Sequence, residues 1–315
     1  MKLLDLQNGE TKVWEEKGYL LPKYDREELK KKTKESPTWV HFGAGNIFRA
    51  FPAAKLQDLL NLGEYDRGVV VAESFDHEII TKAYKPYDGL SLSVVLKAEG
   101  TIEKHVVGSV TESLVADPVA PEDYARLTEI FENPSLQMVT FTITEKGYSL
   151  VNGKGEKLPG VEDGFLAGPG NQSHLMGRIA SLCYARFVKN GTPLALVSTD
   201  NCSHNGDKLY AAIHTFAEKW EENKLTDAGF RAYVNCKEKV TFPWTMIDKI
   251  TPRPDASVEE LLKKDGIEEL DPVITSKNTY VAPFVNAEEC EYLVIEDAFP
   301  NGRPELEKGG LMFTE

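Results

Sequence analysis

The glycines of Gly43-Ala44-Gly45, which follow the apolar run 38–42, have the clearest chemical pattern in this chain. A buried strand that turns into a helix points backbone N–H groups outward, and the positive end of that helix suits a pyrophosphate. The first glycine allows the turn, and the second lets a phosphate approach the backbone. Phe48 stands where the dinucleotide pattern usually has a third glycine, so a purely structural turn is the competing interpretation.

Glu73 is the second candidate, because it closes the apolar run 68–72. A carboxylate at this place accepts hydrogen bonds from the adenosine ribose and repels the extra phosphate of NADP. The sequence therefore predicts NAD as the cofactor. Asp76 is a weaker candidate for the same role, and a surface glutamate is the competing interpretation.

Two further polar segments, 142–148 and 198–206, each follow an apolar strand. Ligands of parallel sheets bind beyond the carboxyl ends of the strands, so we expect Thr144 and Lys146 to contact the nicotinamide ribose. The amides of Asn201 and Asn205 are suited to a substrate hydroxyl or a developing oxyanion. Polar strand ends without a ligand are the alternative for both segments. A lone histidine such as His204 is more often structural than catalytic.

The segment 242–252 is apolar and bounded by prolines, yet it contains Asp248 and Lys249. Charges buried in such surroundings need partners or a function. We therefore expect Asp248 and Lys249 to have either charged partners or a functional role, in a segment that is irregular.

The elements that must position these residues alternate along the chain. Apolar runs predict strands at 38–42, 68–72, 137–143 and 193–198, a hairpin at 92–107, and helices at 122–131, 174–188, 207–220 and 226–235. This order predicts an α/β fold, a Rossmann-like, doubly wound and largely parallel sheet with extra strands. We expect an N-terminal arm (1–36, with a helix at 25–33), an NAD-binding domain (37–300) and the start of a connection (301–315). We expect loops at 152–170 and at the end of the chain.

Composition excludes several classes of protein. The 315 residues carry a net charge of −14, which argues against nucleic acid or an anionic membrane as the main partner. No apolar run is long enough to cross a membrane, and no signal-peptide pattern is present. Cys183, Cys202, Cys236 and Cys290 lack zinc-site spacing, so we expect reduced thiols, no metal and a cytoplasmic location.

Five segments, in the same order, resemble the polyol-specific long-chain dehydrogenase/reductase family, also called the mannitol dehydrogenase family. They are 41–49, 144–148, 200–206, 242–252 and 296–304. The resemblance implies an NAD-dependent oxidoreductase that interconverts a secondary alcohol and its ketone in a small sugar acid or polyol. D-Mannonate/D-fructuronate is the first expected pair of substrate and product. Mannitol/fructose, the pair of a mannitol 2-dehydrogenase, is the second, and tagaturonate/altronate, the pair of a tagaturonate reductase, is the third.

The resemblance also implies roles for individual residues. Asn201 would contact the substrate oxygen at the reacting carbon, and Asp248 would lie in the substrate pocket. Asn201 is the predicted catalytic residue, and the predicted substrate-binding set is Asn205, Asp248 and Lys249. A carboxylate substrate needs a basic group, for which Lys249 and Arg253 are the candidates. The predicted cofactor-binding set is Gly43, Gly45, Asn46, Phe48, Arg49, Glu73, Thr144 and Lys146.

One departure from the family matters. The family's general acid/base is a lysine, followed by asparagine and histidine, in a helical C-terminal domain. Asn171 and Asn201 each begin an Asn-x-x-His pair, but leucine occupies the lysine position before both. We therefore expect this chain to be truncated and inactive alone. Its expected partner is the missing C-terminal domain of the same polypeptide. Lys146 is the internal rival for the catalytic acid.

Three alternatives remain open. Mannitol-1-phosphate dehydrogenases share the opening motif but usually have glycine where Phe48 stands. A short-chain dehydrogenase needs Tyr-x-x-x-Lys, which Tyr233 and Lys237 match by chance, because the glycine turn lacks the extra glycines of that class. A dinucleotide-binding module without catalysis is the alternative of another class.

Overall fold

The computed structural model describes residues 1–315, and its elements alternate as strand and helix over most of the chain. The strands are β1 Tyr19–Leu20, β2 Trp39–Phe42, β3 Val69–Glu73, β4 Ser91–Leu96, β5 Ile102–Val107, β6 Val110–Val115, β7 Met138–Phe141, β8 Leu194–Ser198, β9 Val240–Thr241, β10 Thr245–Lys249, β11 Val273–Ile274, β12 Tyr280–Val281, β13 Phe284–Glu288, β14 Glu291–Glu296 and β15 Met312–Thr314. The helices are α1 Lys12–Glu16, α2 Arg26–Glu35, α3 Asn46–Ala50, α4 Pro52–Asn61, α5 Pro121–Glu132, α6 Val161–Ala167, α7 Leu175–Lys189, α8 Asn205–Glu222, α9 Phe230–Asn235 and α10 Ala256–Lys264.

The main sheet has six strands in the order β6-β3-β2-β7-β8-β9, and every neighbouring pair is parallel. The chain adds strands on one side of β2 and then, from β7, on the other. The order therefore reverses between β2 and β7, and the carboxyl ends of these two strands form the crevice where such sheets bind ligands. The predicted doubly wound α/β fold is confirmed.

Apolar side chains cover both faces of this sheet. A cluster of 32 buried residues joins one face to α5, α7, α8 and α9, and includes Phe131, Ile179 and Trp220. A second cluster of 27 residues joins the other face to α4 through Leu56 and Leu60. A parallel sheet buried on both faces gives its strand ends a fixed framework.

A smaller sheet, ordered β1-β5-β4-β13, contains the predicted hairpin of β4 and β5. Residues 1–20 pack with this sheet rather than extending freely, whereas α2 packs its Leu29 into the second buried cluster. Leu3, Trp14 and Tyr19 lie in a third buried cluster with residues of β4, β5 and β13. The amino group of Met1 donates to the carbonyl of Gly266 at 2.8 Å.

Three segments differ from the predicted local structure. The stretch predicted to be irregular contains β10, which pairs antiparallel with β14. The predicted loop 152–170 contains α6, and the predicted terminal loop contains β15, which pairs with β14. β10 pairs with a strand some 50 residues away, as Thr245 with Ile295 shows, so local sequence did not reveal it. None of the helices combines the length and the apolar character that a membrane span requires.

Candidate functional site

The two glycines of the turn after β2 occupy different surroundings. Gly43 has φ +112°, and a Cβ there would lie 2.1 Å from the carbonyl oxygen of Thr142. Its N–H donates to the carbonyl of Ala72 at 2.9 Å. Gly45 has φ −78°, and no atom lies within 4 Å of the place a Cβ would take. Gly43 is therefore required by packing, whereas Gly45 leaves open space in front of the turn.

Glu73 connects the end of β3 to this turn. Its Oε2 accepts from the N–H of Ala44 at 2.8 Å, and its Oε1 accepts from the N–H groups of Phe75 and Asp76 at 2.8 and 3.2 Å. The side chain is buried, with 7% of its surface exposed. Three hydrogen bonds to one carboxylate fix the backbone of the turn and keep a negative charge beside it.

Phe48 and His41 support the turn from inside. Phe48 is fully buried and stacks on the His41 ring, with centroids 4.2 Å apart, so its side chain does not face the crevice. The two ring nitrogens of His41 are hydrogen-bonded to the hydroxyls of Thr140 and Thr142 at 2.6 and 2.8 Å. Burial lowers the pKa of His41 to about 3, so the ring is neutral. Its burial as a hydrogen-bonded base was not apparent from the sequence.

Arg49 also lies beneath the turn. It is 1% exposed, and it donates to the carbonyl of Ala282 at 2.6 Å and to Oδ1 of Asn46 at 2.9 Å. The guanidinium lies 5.7 Å from the Tyr84 ring centroid, its Nε has no partner, and burial lowers its pKa. Arg49 thus connects α3 to the segment before β13.

The loop after β7 is held tightly. Thr144 has φ +64°, an unfavourable conformation for a β-branched residue. The Asp200 carboxylate accepts from the N–H groups of Ile143 and Thr144 at 3.0 and 2.9 Å, and also from the hydroxyl of Tyr148. Burial raises the pKa of Asp200. Lys146, in the same loop, is exposed.

The two predicted asparagines after β8 are placed differently. Asn201 is exposed at the strand end, where its amide is accessible. Asn205 is buried, and its Nδ2 donates to the hydroxyl of Thr245 at 2.8 Å. Its Oδ1 accepts from the N–H groups of Gly206 and Thr245 at 2.8 and 3.1 Å. The amide of Asn205 is therefore already used to join α8 to β10, and its role in substrate binding stays a prediction.

Asp248 and Lys249 were expected in one substrate pocket, but they lie on opposite faces of β10. Asp248 is exposed, beside the exposed apolar side chains of Met246 and Ile250. The Lys249 side chain is 1% exposed and forms an ion pair of 2.5 Å with Glu291. Successive residues of a strand point to opposite sides, so the two side chains do not share one pocket. The substrate-binding role stays a prediction for both residues.

The crevice thus joins a glycine turn with open space in front of it, a fixed carboxylate, an exposed amide and an exposed cation. No group of three or more His, Cys, Asp or Glu side chains is placed to hold a metal ion. These groups are suited to bind a dinucleotide and a hydroxylated small molecule.

Comparisons with known proteins agree with this geometry. The family model described as "Mannitol dehydrogenase Rossmann domain" matches residues 37–308. The chain is 49% identical to D-mannonate oxidoreductase of Thermotoga maritima over 295 residues, 94% of this chain and 54% of that protein. It is 33% identical to mannitol 2-dehydrogenase of Cereibacter sphaeroides, over 93% of this chain and 56% of that protein.

A solved structure gives the same result for the fold. The ternary complex of Pseudomonas fluorescens mannitol 2-dehydrogenase with NAD and D-mannitol superposes with a TM-score of 0.76 at 26% identity. That match covers 95% of this chain and 56% of the solved chain. The chain spans about half the length of the curated relatives it matches.

Proposed function

This chain belongs to the mannitol dehydrogenase family, and from that premise we propose that it is the nucleotide-binding part of an NAD-dependent oxidoreductase acting on D-mannonate and D-fructuronate. The observation that carries the proposal is the 49% identity to a D-mannonate oxidoreductase over 94% of the chain. Mannitol/fructose is the second candidate pair, because a mannitol 2-dehydrogenase is 33% identical over nearly the same length.

The residues of the crevice fit a dinucleotide. The space in front of Gly45 allows a phosphate to approach the backbone, and the first N–H groups of α3, from Asn46 onward, have no partner within the helix. The fixed charge of Glu73 suits ribose hydroxyls and disfavours a 2′-phosphate. When bound, NAD(H) supplies the hydride exchanged with the substrate carbon.

Each of the remaining site residues has a separate role. Thr144 contacts the nicotinamide ribose from the loop after β7. Phe48 and Arg49 hold the glycine turn from beneath. Asn201 donates its amide to the substrate oxygen as negative charge develops there, and Asp248 accepts hydrogen bonds from substrate hydroxyls. The proton comes from the lysine that the family resemblance places in the helical C-terminal domain.

The test is an NADH-oxidation assay on the protein at its full natural length, with fructuronate, fructose and tagaturonate in parallel. We expect turnover to be fastest with fructuronate. Faster turnover of fructose would move the assignment to mannitol/fructose. NADH binding without turnover of any of the three would favour a binding module instead. We also propose a cytoplasmic location, on the basis of the four free cysteines.

A further inference from the structure

A sugar acid brings a carboxylate into the crevice, where charges of the same sign already lie. The chain has a net charge of −14, and Glu73 and Asp248 both belong to the proposed site. A carboxylate is bound well only where a cation is free to meet it, since charge-assisted hydrogen bonds are among the strong ones. The cations along the carboxyl ends of the main sheet are therefore the candidates.

Three of these cations are buried and already engaged. Arg178, near the end of β6, is paired with Asp117 at 2.6 Å. Arg49 lies under the glycine turn with two hydrogen bonds inside the chain. Lys249 is paired with Glu291 on the far face of β10. None of the three is available without breaking buried contacts, which is costly for a charged group.

The remaining cations, which are exposed or half-buried, differ in their partners and positions. Lys208 is paired with Glu145 at 2.5 Å. Lys277 and Arg253 each lie over an aromatic ring, at 4.6 and 5.6 Å from its centroid, and neither is on the loop after a central strand. Lys146 is exposed, makes no ion pair within the chain, and follows β7, one of the two strands that form the crevice.

The backbone that carries Lys146 is fixed on both sides. Thr144 is held at φ +64° by the Asp200 carboxylate, and Tyr148 donates to the same carboxylate. Strained backbone persists only where the surroundings impose it, and it occurs often at ligand sites. A cation without a partner on a fixed loop can take a ligand charge while little backbone order is lost on binding.

We propose that Lys146 binds the substrate carboxylate and thereby selects a sugar acid over a neutral polyol or keto sugar. This inference rests on the proposed function. It moves Lys146 from the nicotinamide ribose, where the sequence alone places it, to the substrate. It also replaces Lys249 as the basic group for a carboxylate substrate.

The experiment compares four variants of the protein at its full natural length: Lys146→Gln, Lys146→Arg, Arg253→Gln and, as matched control, Lys154→Gln. Lys154 is an exposed lysine in the loop that follows. For each variant, kcat and KM are measured with fructuronate and with fructose, and NADH affinity is measured by fluorescence titration. The readout that decides is the ratio of the two kcat/KM values, because a general loss of fold or cofactor affects both substrates.

For Lys146→Gln we expect kcat/KM with fructuronate to fall about 10- to 100-fold, mainly through KM, with a much smaller change for fructose. NADH affinity should stay within about twofold. Lys146→Arg should recover part of the preference, and Lys154→Gln should match the unmodified protein.

Other outcomes overturn the inference. An unchanged ratio in Lys146→Gln, a fall in NADH affinity that accounts for the loss, or a loss of preference in Arg253→Gln instead, each removes Lys146 from this role while the proposed function stands. An unmodified protein that turns over none of the sugars, or prefers fructose, refutes the sugar-acid function itself, and the inference with it.

Discussion

The two glycines of the turn after β2 should respond differently to the same substitution. In Gly43→Ala, the new methyl group would lie 2.1 Å from the carbonyl oxygen and 2.7 Å from the hydroxyl oxygen of Thr142, at φ +112°. Backbone strain costs about 1–3 kcal/mol, and overpacking against β7 costs about 1–3 kcal/mol more. We therefore expect a loss of about 2–6 kcal/mol, a large share of the 5–15 kcal/mol typical of native domains.

In Gly45→Ala, the methyl group meets no atom within 4 Å and the backbone conformation suits any residue. Stability should change by about 1 kcal/mol or less. NADH affinity should nevertheless fall about tenfold or more, because the methyl group occupies the space through which a phosphate approaches.

Denaturant unfolding of both variants, combined with NADH fluorescence titration, separates the two effects. The unmodified protein is the reference for both measurements. Equal losses of stability in the two variants, or a Gly43→Ala protein as stable as the unmodified one, would refute this division of roles. Normal NADH affinity in Gly45→Ala would show that no phosphate approaches the backbone there.

Three further predictions concern single side chains of the site. The pKa of His41 is about 3 in the folded protein and 6.5 in the unfolded chain, so the unfolded chain alone binds a proton as the pH falls from 6.5 toward 3. Equilibrium unfolding should therefore show about 2 kcal/mol less stability at pH 5 than at pH 7. The free energy of unfolding should depend less steeply on pH in His41→Asn. In parallel titrations NADH should bind more tightly than NADPH, and Glu73→Gln should reduce this difference in affinity. Tighter binding of NADPH to the unmodified protein would show that Glu73 does not select against the 2′-phosphate. In the protein at its full natural length, Asn201→Ala should lower kcat about 10²- to 10³-fold with little change in NADH affinity. Asn205→Ala should instead lower the free energy of unfolding by about 1–3 kcal/mol.

The sheet was predictable from sequence because its central strands are buried on both faces. A parallel strand in this position appears as a short, continuous apolar run, such as Val69–Glu73 or Leu194–Ser198. The strand β10 was not predictable in the same way. Ile247 is its only buried apolar residue, and its partner β14 lies far along the chain.

The candidate site was only partly predictable, because residue type does not reveal which partners are already taken. Asn205 and Asn201 carry the same amide group. The amide of Asn205 is hydrogen-bonded to Thr245 of β10, whereas the amide of Asn201 is exposed. Lys249 likewise has the charge that a carboxylate needs, but Glu291 already neutralises it. A charged or amide side chain becomes a candidate only when the fold leaves it both positioned and free.

The carboxylates of Glu73 and Asp200 fix the two loops that border the crevice. The four strands around it lie in the order β3-β2-β7-β8. Glu73, at the end of the outer strand β3, accepts from the turn after β2, and Asp200, just beyond β8, accepts from the loop after β7. Each outer strand thus fixes the loop of its inner neighbour through backbone N–H groups. Because these bonds do not depend on any ligand, the backbone on both sides of the crevice is ordered beforehand, and binding there has little loop entropy to overcome.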